Sequence, residues 1–222
     1  MKRNRSIPAS WMCCFFVAWL VFAYAPRAFG SPSYYTDLAS FDAASQTSLV
    51  EDFELVSPKN TPLPTLTTNG ITFVGLAGIP FPNVYVASPG FTNFGVPITT
   101  SSVLTANGAE DFRVELQLSS PSTAVGFDTY LNGYGPATIE VHGSGGLLGT
   151  FSLSHDPTTV GFFGATANEP IYKMRWTTIG GQTVNTGIDN IRLGNVVPAP
   201  GGLVLVSIGA GVVGWLRRRR MV

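Results

Sequence analysis

The chain has 222 residues, 13 Lys+Arg against 13 Asp+Glu, and 45% hydrophobic residues. That length suits one domain with a real core plus appendages. Its zero formal charge argues against a nucleic-acid binder or a polybasic membrane-surface protein only if the charges are evenly spread, and they are not.

Residues 1–10 (MKRNRSIPAS) carry Lys2, Arg3 and Arg5 and no acid, and an apolar run follows from Trp11 to Ala25. A basic start, a short apolar run and small residues before a cut predict a secretory signal peptide over 1–30. Pro26 would obstruct a cut after Ala25, so cleavage between Gly30 and Ser31, after Ala28-Phe29-Gly30, is preferred. Cys13 and Cys14, the two cysteines of the chain, lie in this segment. The exported part is therefore expected to lack disulfides, thiol nucleophiles and cysteine-bound zinc.

Residues 31–48 read as a lead-in, with a short helical turn at 38–44. From 49 to 194 the hydrophobic period is two. Phe112, Val114, Leu116 and Leu118 alternate with Arg113, Glu115 and Gln117. Val125, Phe127 and Thr129 repeat the pattern, as do Ile139 and Val141, and Tyr172, Met174 and Trp176. Such alternation marks strands with one buried and one wet face, hence antiparallel sheet. Asn69-Gly70, Asn132-Gly133, Asp156-Pro157 and similar pairs supply turns between about ten short strands. The expected fold class is all-β: an antiparallel β-sandwich of jelly-roll type.

Chemistry is sparse. A hydrolytic triad needs a base, and 31–222 contains only His142, on the polar face of a strand, and His155, in a turn. The common nucleophile, metal-protease and phosphate-loop motifs are missing. Asp189 shares parity with Ile191 and Leu193, and a carboxylate on a buried face needs a partner. Capping by the turn at Asn190 and binding of calcium, which takes oxygen ligands, are both open. Tyr130, Asn132 and Tyr134 lie in a loop-like YLNGYGP stretch, and Phe91, Asn93 and Phe94 in another. Loop aromatics serve either as packing on the rim of the domain or as stacking surfaces for sugar rings.

The C-terminal end reads NVVPAP (195–200), a tether, followed by the uncharged run 201–216 and Arg217, Arg218, Arg219 and Arg220. Sixteen residues at ~1.5 Å rise give ~24 Å, enough to insert a helix into a bilayer with local thinning. The arginines would then stay cytoplasmic, so 201–222 is expected to be a transmembrane sorting helix. A signal peptide, a Val-Pro-x-Pro motif, a Gly-rich apolar segment and terminal arginines together resemble the PEP-CTERM family of Gram-negative bacteria that make exopolysaccharide. That resemblance implies an exosortase-type transpeptidase as partner, with Val197, Pro198, Pro200 and Arg217 to Arg220 as its recognition elements. Ala199 stands where the family's usual motif has Glu. It further implies a precursor held in the inner membrane and a product at the cell surface or outside it.

A second resemblance rests on LVEDFEL (49–55) and GIDNIRL (187–193), which are similar to the first and last strands of carbohydrate-binding-module jelly rolls. In those modules an acid near each of the two strands can share a calcium ion, so Asp52, Glu54 and Asp189 are the implied ligands. Three functions follow in order: a non-catalytic structural or adhesive matrix (biofilm) protein, a calcium-containing carbohydrate-binding module that contacts extracellular polysaccharide, and a secreted hydrolase. Without the two ends, residues 31–194 hold five basic residues against thirteen acids, a net of −8. That balance disfavours binding of nucleic acid and other anionic polymers through charge.

Overall fold

A computed structural model describes residues 31–77, 82–106, 112–178 and 184–197. The expected signal peptide, Gly30 included, and the expected sorting helix lie outside these residues, as do Pro198, Pro200 and Arg217 to Arg220. Among the described residues no helix is long and apolar enough to cross a membrane.

The described chain is all-β and antiparallel, with one short helix. The order is β1 (Ser33–Tyr35), α1 (Leu38–Ala44), β2 (Ser45–Glu51), β3 (Thr65–Thr68), β4 (Ile71–Gly75), β5 (Val84–Ala87) and β6 (Val103–Ala106), then β7 (Arg113–Tyr130), β8 (Ala137–Gly143), β9 (Gly146–Leu153), β10 (Gly161–Thr177) and β11 (Gly187–Val196). The helix stands at the expected turn. Asp37 caps it, its Oδ1 accepting the Ser40 N–H at 2.8 Å, which satisfies one orphan donor of the first turn. The stretch expected as a lead-in is woven into the sheet. β1 pairs with β10, Ser33 opposite Thr166, and β2 begins at Ser45 opposite Val196.

Two long strands organise the rest. The first half of β7 pairs with β4 and with the end of β10, Glu115 standing opposite both Val74 and Arg175. Its second half pairs with the start of β10 and with β11. Pro121 and Pro170 fall between the halves of the two strands, where the ladder loses register. Proline has no N–H to donate, so a ladder breaks or bends where it stands. Each strand thereby serves two halves of one continuous sheet: β3-β4-β7-β10-β8-β9 on one side, and β1-β10-β7-β11 with β2, β6 and β5 on the other.

The alternation read from sequence fills the space between the halves. Phe112, Val114 and Leu116 are fully buried, with Val125, Phe127, Ile139, Val141 and Trp176. Rings bridge the two halves: Phe127 to Trp176 at 5.5 Å and Phe151 to Phe163 at 5.6 Å between centroids. Tyr172 departs from the pattern. A bulge between Ile171 and Lys173 shifts the phase, so Ile171 is buried and Tyr172 exposed.

These pairings give the domain two poles. Loops 88–102, 131–136 and 154–160 gather at one. At the other lie the strand crossovers and the two ends of the described chain. There Val197 N–H donates to Ala44 C=O at 2.9 Å.

Candidate functional site

β11 changes partner part-way along its length. Residues 187–188 pair with β6 and residues 191–196 with β2, which leaves Asp189 and Asn190 at the gap. The ladder to β7 also shifts register here, and Asn190 takes a left-handed φ of 48°, a conformation Asn tolerates better than most residues. Backbone groups freed at such a gap need other partners, and a polar cluster covers it.

Asp189 is fully buried. Its Oδ1 accepts the Asn190 N–H at 2.6 Å, and its Oδ2 accepts the Ser101 hydroxyl. Asn190 Nδ2 donates to Asp189 Oδ2 at 3.2 Å and to Asp128 Oδ2 at 2.8 Å, while Arg192 Nη1 donates to Asp128 Oδ1 at 3.1 Å. Burial is the main reason that the Asp189 carboxyl is pushed up to about 6; the hydrogen bonds from the Ser101 hydroxyl and the Asn190 N–H oppose the rise, and the charges of Asp128 and Glu54 add to it. Burial, helped by the charges of Asp189 and Asp128, also raises the Tyr130 phenol.

The neighbouring half of the cluster centres on Glu54. Its Oε1 accepts the Ser102 N–H at 2.6 Å, and its Oε2 accepts the Ser102 hydroxyl at 3.0 Å. Lys59 Nζ donates to Glu54 Oε2 at 3.1 Å and to Ser102 Oγ at 2.6 Å. Partial burial works against the Glu54 charge, but the Ser102 and Lys59 contacts outweigh it and hold the carboxyl below its ordinary range. The structure thus brings Glu54 and Asp189 to one corner through the consecutive serines 101 and 102.

It does not bring Asp52 there. Asp52 is exposed, and its Oδ1 accepts the Glu54 N–H at 3.1 Å in a local turn. The buried acid of this segment is Glu51, which accepts from Phe53 N, Thr68 Oγ1 and Asn69 Nδ2, each at 2.7 Å. The Lys59 ammonium supplies the counter-charge at Glu54, hydrogen bonds engage both Asp189 oxygens, and among the described residues no group of three or more His, Cys, Asp or Glu is placed to hold a metal ion. The cluster is a structural clasp across a strand gap.

The loop pole carries the other expected residues. Tyr130 is buried and packs on Phe94 with ring centroids 5.4 Å apart, so its face is not open for stacking. Asn132 is buried too, and its Oδ1 accepts the Tyr134 N–H at 3.0 Å. Tyr134 is 54% exposed and Phe91 55% exposed. Pro157 draws their loops together: a Cβ at Gly133 would stand 3.0 Å from Pro157 Cγ, and Gly95 abuts the Pro157 carbonyl. Both glycines have positive φ, 78° and 74°, and a side chain there would be strained as well as crowded. The histidines take up structural contacts: His142 Nε2 lies 3.0 Å from Glu140 Oε2, and His155 Nε2 2.9 Å from Thr129 Oγ1.

At the opposite pole a cavity of about 550 Å³ is lined by Ser31, Ser33 and Tyr35 from the start of the described chain and by Val196 and Val197 from its end. Val197, first of the expected sorting residues, is exposed there.

Sequence reasoning missed Asp128 and Glu51. Asp128 faces away from Phe127 and Thr129, and its importance comes from standing opposite Asp189 in the β7–β11 register, which no single sequence displays. Glu51 shares parity with Leu49 and Phe53, a signal that marks it as inward-facing. No protein-family model matches this chain, and comparison with the curated proteins finds no match.

Proposed function

We propose that the chain is an exported surface protein of a Gram-negative bacterium, sorted by an exosortase-type transpeptidase and acting without catalysis as a structural or adhesive component of the extracellular matrix. Its domain is read as a β-sandwich of jelly-roll type, tethered until processing by a helix over 201–222. The reading is carried by the tail: Val197-Pro198-x-Pro200, an uncharged Gly-rich run and Arg217 to Arg220, in that order. The position of Val197 supports it. The chain leaves the sheet beside Ala44 and Ser31, at the pole away from loops 88–102, 131–136 and 154–160. A tether at that pole would hold the domain with its loops pointing away from the bilayer. Expression of the full chain in a host with and without an exosortase tests this: a shortened product is expected only with the enzyme. Identical products in both hosts would refute it.

Carbohydrate binding at the loop pole is a second reading, favoured by the two exposed aromatics Phe91 and Tyr134 on loops held by Pro157. Aromatic faces stack on the apolar faces of sugars, and a preformed loop loses little entropy on binding.

A further inference from the structure

The domain is acidic as a whole, yet its cations are not scattered. The described residues contain five basic side chains. Lys59 and Arg192 pair with Glu54 and Asp128. The other three, Arg113, Lys173 and Arg175, share the outer face of the β4-β7-β10-β8 half. Arg113 stands opposite Thr177, Glu115 opposite Arg175 and Gln117 opposite Lys173 on one side of β10; Glu140 and His142 flank Arg175 and Lys173 on the other. Alternate residues of a strand lie ~7 Å apart on one face, so Lys173 and Arg175 follow one another along β10 and Arg113 lies diagonally across from Arg175 on β7.

Glu115 orders two of them. Arg175 donates Nε to Glu115 Oε2 at 2.6 Å, and Lys173 Nζ lies 3.4 Å from the same oxygen. Burial opposes the charge on Glu115, but Arg175, Gln117 and Lys173 overcome it and hold the carboxyl below its ordinary range. The Arg175 side chain donates through Nε and is 43% exposed, with Glu140 opposite it on the neighbouring strand. A guanidinium matches a carboxylate in geometry and charge. Around the row stand Gln117, Thr72 and Thr138, which bring amide and hydroxyl groups, and the exposed ring of Tyr172 lies next to Lys173.

We infer that this outer sheet face binds an extended carboxylate-bearing polysaccharide, with Arg175 and Lys173 facing its carboxylates and Tyr172 available to stack on a sugar ring. Charge complementarity chooses the occupant. The face sets Arg113, Lys173 and Arg175 against Glu115 and Glu140, a surplus of one positive charge in a domain of net −8, so a polymer with intermittent negative charge can approach it, whereas one as densely charged as duplex DNA is repelled by the rest of the surface. A protein partner would need an apolar centre, and the centre of this face is Glu115, Gln117, Lys173 and Arg175. The inference builds on the surface-protein reading and names a partner for it. It is tested on purified protein, so its failure and a failure of sorting are separate results.

The test uses the full chain in detergent, immobilised, against polygalacturonate oligomers, the same oligomers fully methyl-esterified, and duplex DNA. Saturable binding of the acid form is expected, weakening as salt is raised well above ~0.1 M, where the Debye length falls below ~10 Å. Exposed Thr138, beside Thr177 in the row, permits variants that leave the Glu115 contacts intact. Thr138→Lys should tighten binding and Thr138→Glu should weaken it by about tenfold between them. Lys173→Gln with Arg175→Gln should abolish it, with circular dichroism confirming the fold. Equal binding of acid and ester, tighter binding of DNA, no binding at all, or indifference to the Thr138 charge would each overturn the proposal.

Discussion

Asp189→Asn should make the domain more stable near neutral pH. The Asp189 carboxyl is raised from its ordinary 3.8 to about 6, chiefly by burial. The folded chain therefore holds this proton more tightly than the unfolded chain does. The sign follows: stability on this account is full at low pH, declines as pH rises from about 4 to about 6, and stays at its reduced level above. A displacement of about two pH units corresponds to ~3 kcal/mol at neutral pH. Asparagine is nearly isosteric and never ionises. Its Oδ1 can still accept the Asn190 N–H, while its Nδ2 donates to a Ser101 hydroxyl that now accepts and the long 3.2 Å donation from Asn190 Nδ2 is lost, that amide keeping its bond to Asp128. Allowing ~1 kcal/mol for the rearranged Ser101 bond and the lost weak one together, the variant should gain ~2 kcal/mol, or about 4–8 °C in Tm for a domain of this size. Guanidinium titrations followed by circular dichroism, at acid and at neutral pH, measure it. Two curves that converge at low pH and separate at neutral pH are expected. A variant that melts below the parent at neutral pH would refute the reasoning, because the ionised carboxylate would then be the stabilising form. Added calcium should leave the parent's Tm unchanged.

Trp176→Ala should cost ~3–5 kcal/mol, since the indole is fully buried against Phe127 and Phe112, and large cavities rarely collapse; equilibrium unfolding reads it. Gly187→Ala puts a Cβ 2.8 Å from the Leu104 carbonyl oxygen and 2.9 Å from Phe94, so a loss of ~1–3 kcal/mol is expected by thermal melting. Glu115, whose carboxyl is held low, adds stability that is present above its ordinary 4.5 and lost as pH falls through its lowered value. Glu115→Gln should therefore flatten that acid limb in a pH series of unfolding curves. Tyr134→Ala should change stability by less than ~0.5 kcal/mol, as exposed positions do, yet abolish any binding of neutral glycans at the loop pole on an array.

Strand phase was legible in the sequence wherever one face is wet: 112–118, 125–129 and 139–141 alternate as read, because side-chain direction is a property of the strand alone. Tyr172 was misread for a local reason, the bulge after Ile171, which leaves no mark in the hydrophobic pattern. Burial of Asp189 was expected from its parity with Ile191 and Leu193, but the register shift after it breaks that parity: Asp189 lies on the face of Asp128 and Arg192, opposite to Ile188, and the polar cluster buries it there. Its partners were not legible, because Ser101, Asp128 and Glu54 come from three other segments. Asp52 looked equivalent to Glu54 at spacing two, and the turn at Phe53, with φ of 58°, removes that equivalence. The row of cations was hidden for a related reason. Composition reports a net charge, and only the β7–β10 register sets Arg113, Lys173 and Arg175 side by side in an acidic domain.

The central claim is that the chain is exported and then cut at its tail. Mass spectrometry of the termini of the protein recovered from its native cell surface tests it most directly. The account predicts an N-terminus at Ser31 and the absence of the segment after Pro200, Arg217 to Arg220 included. Recovery of that segment on the surface-exposed protein would contradict it.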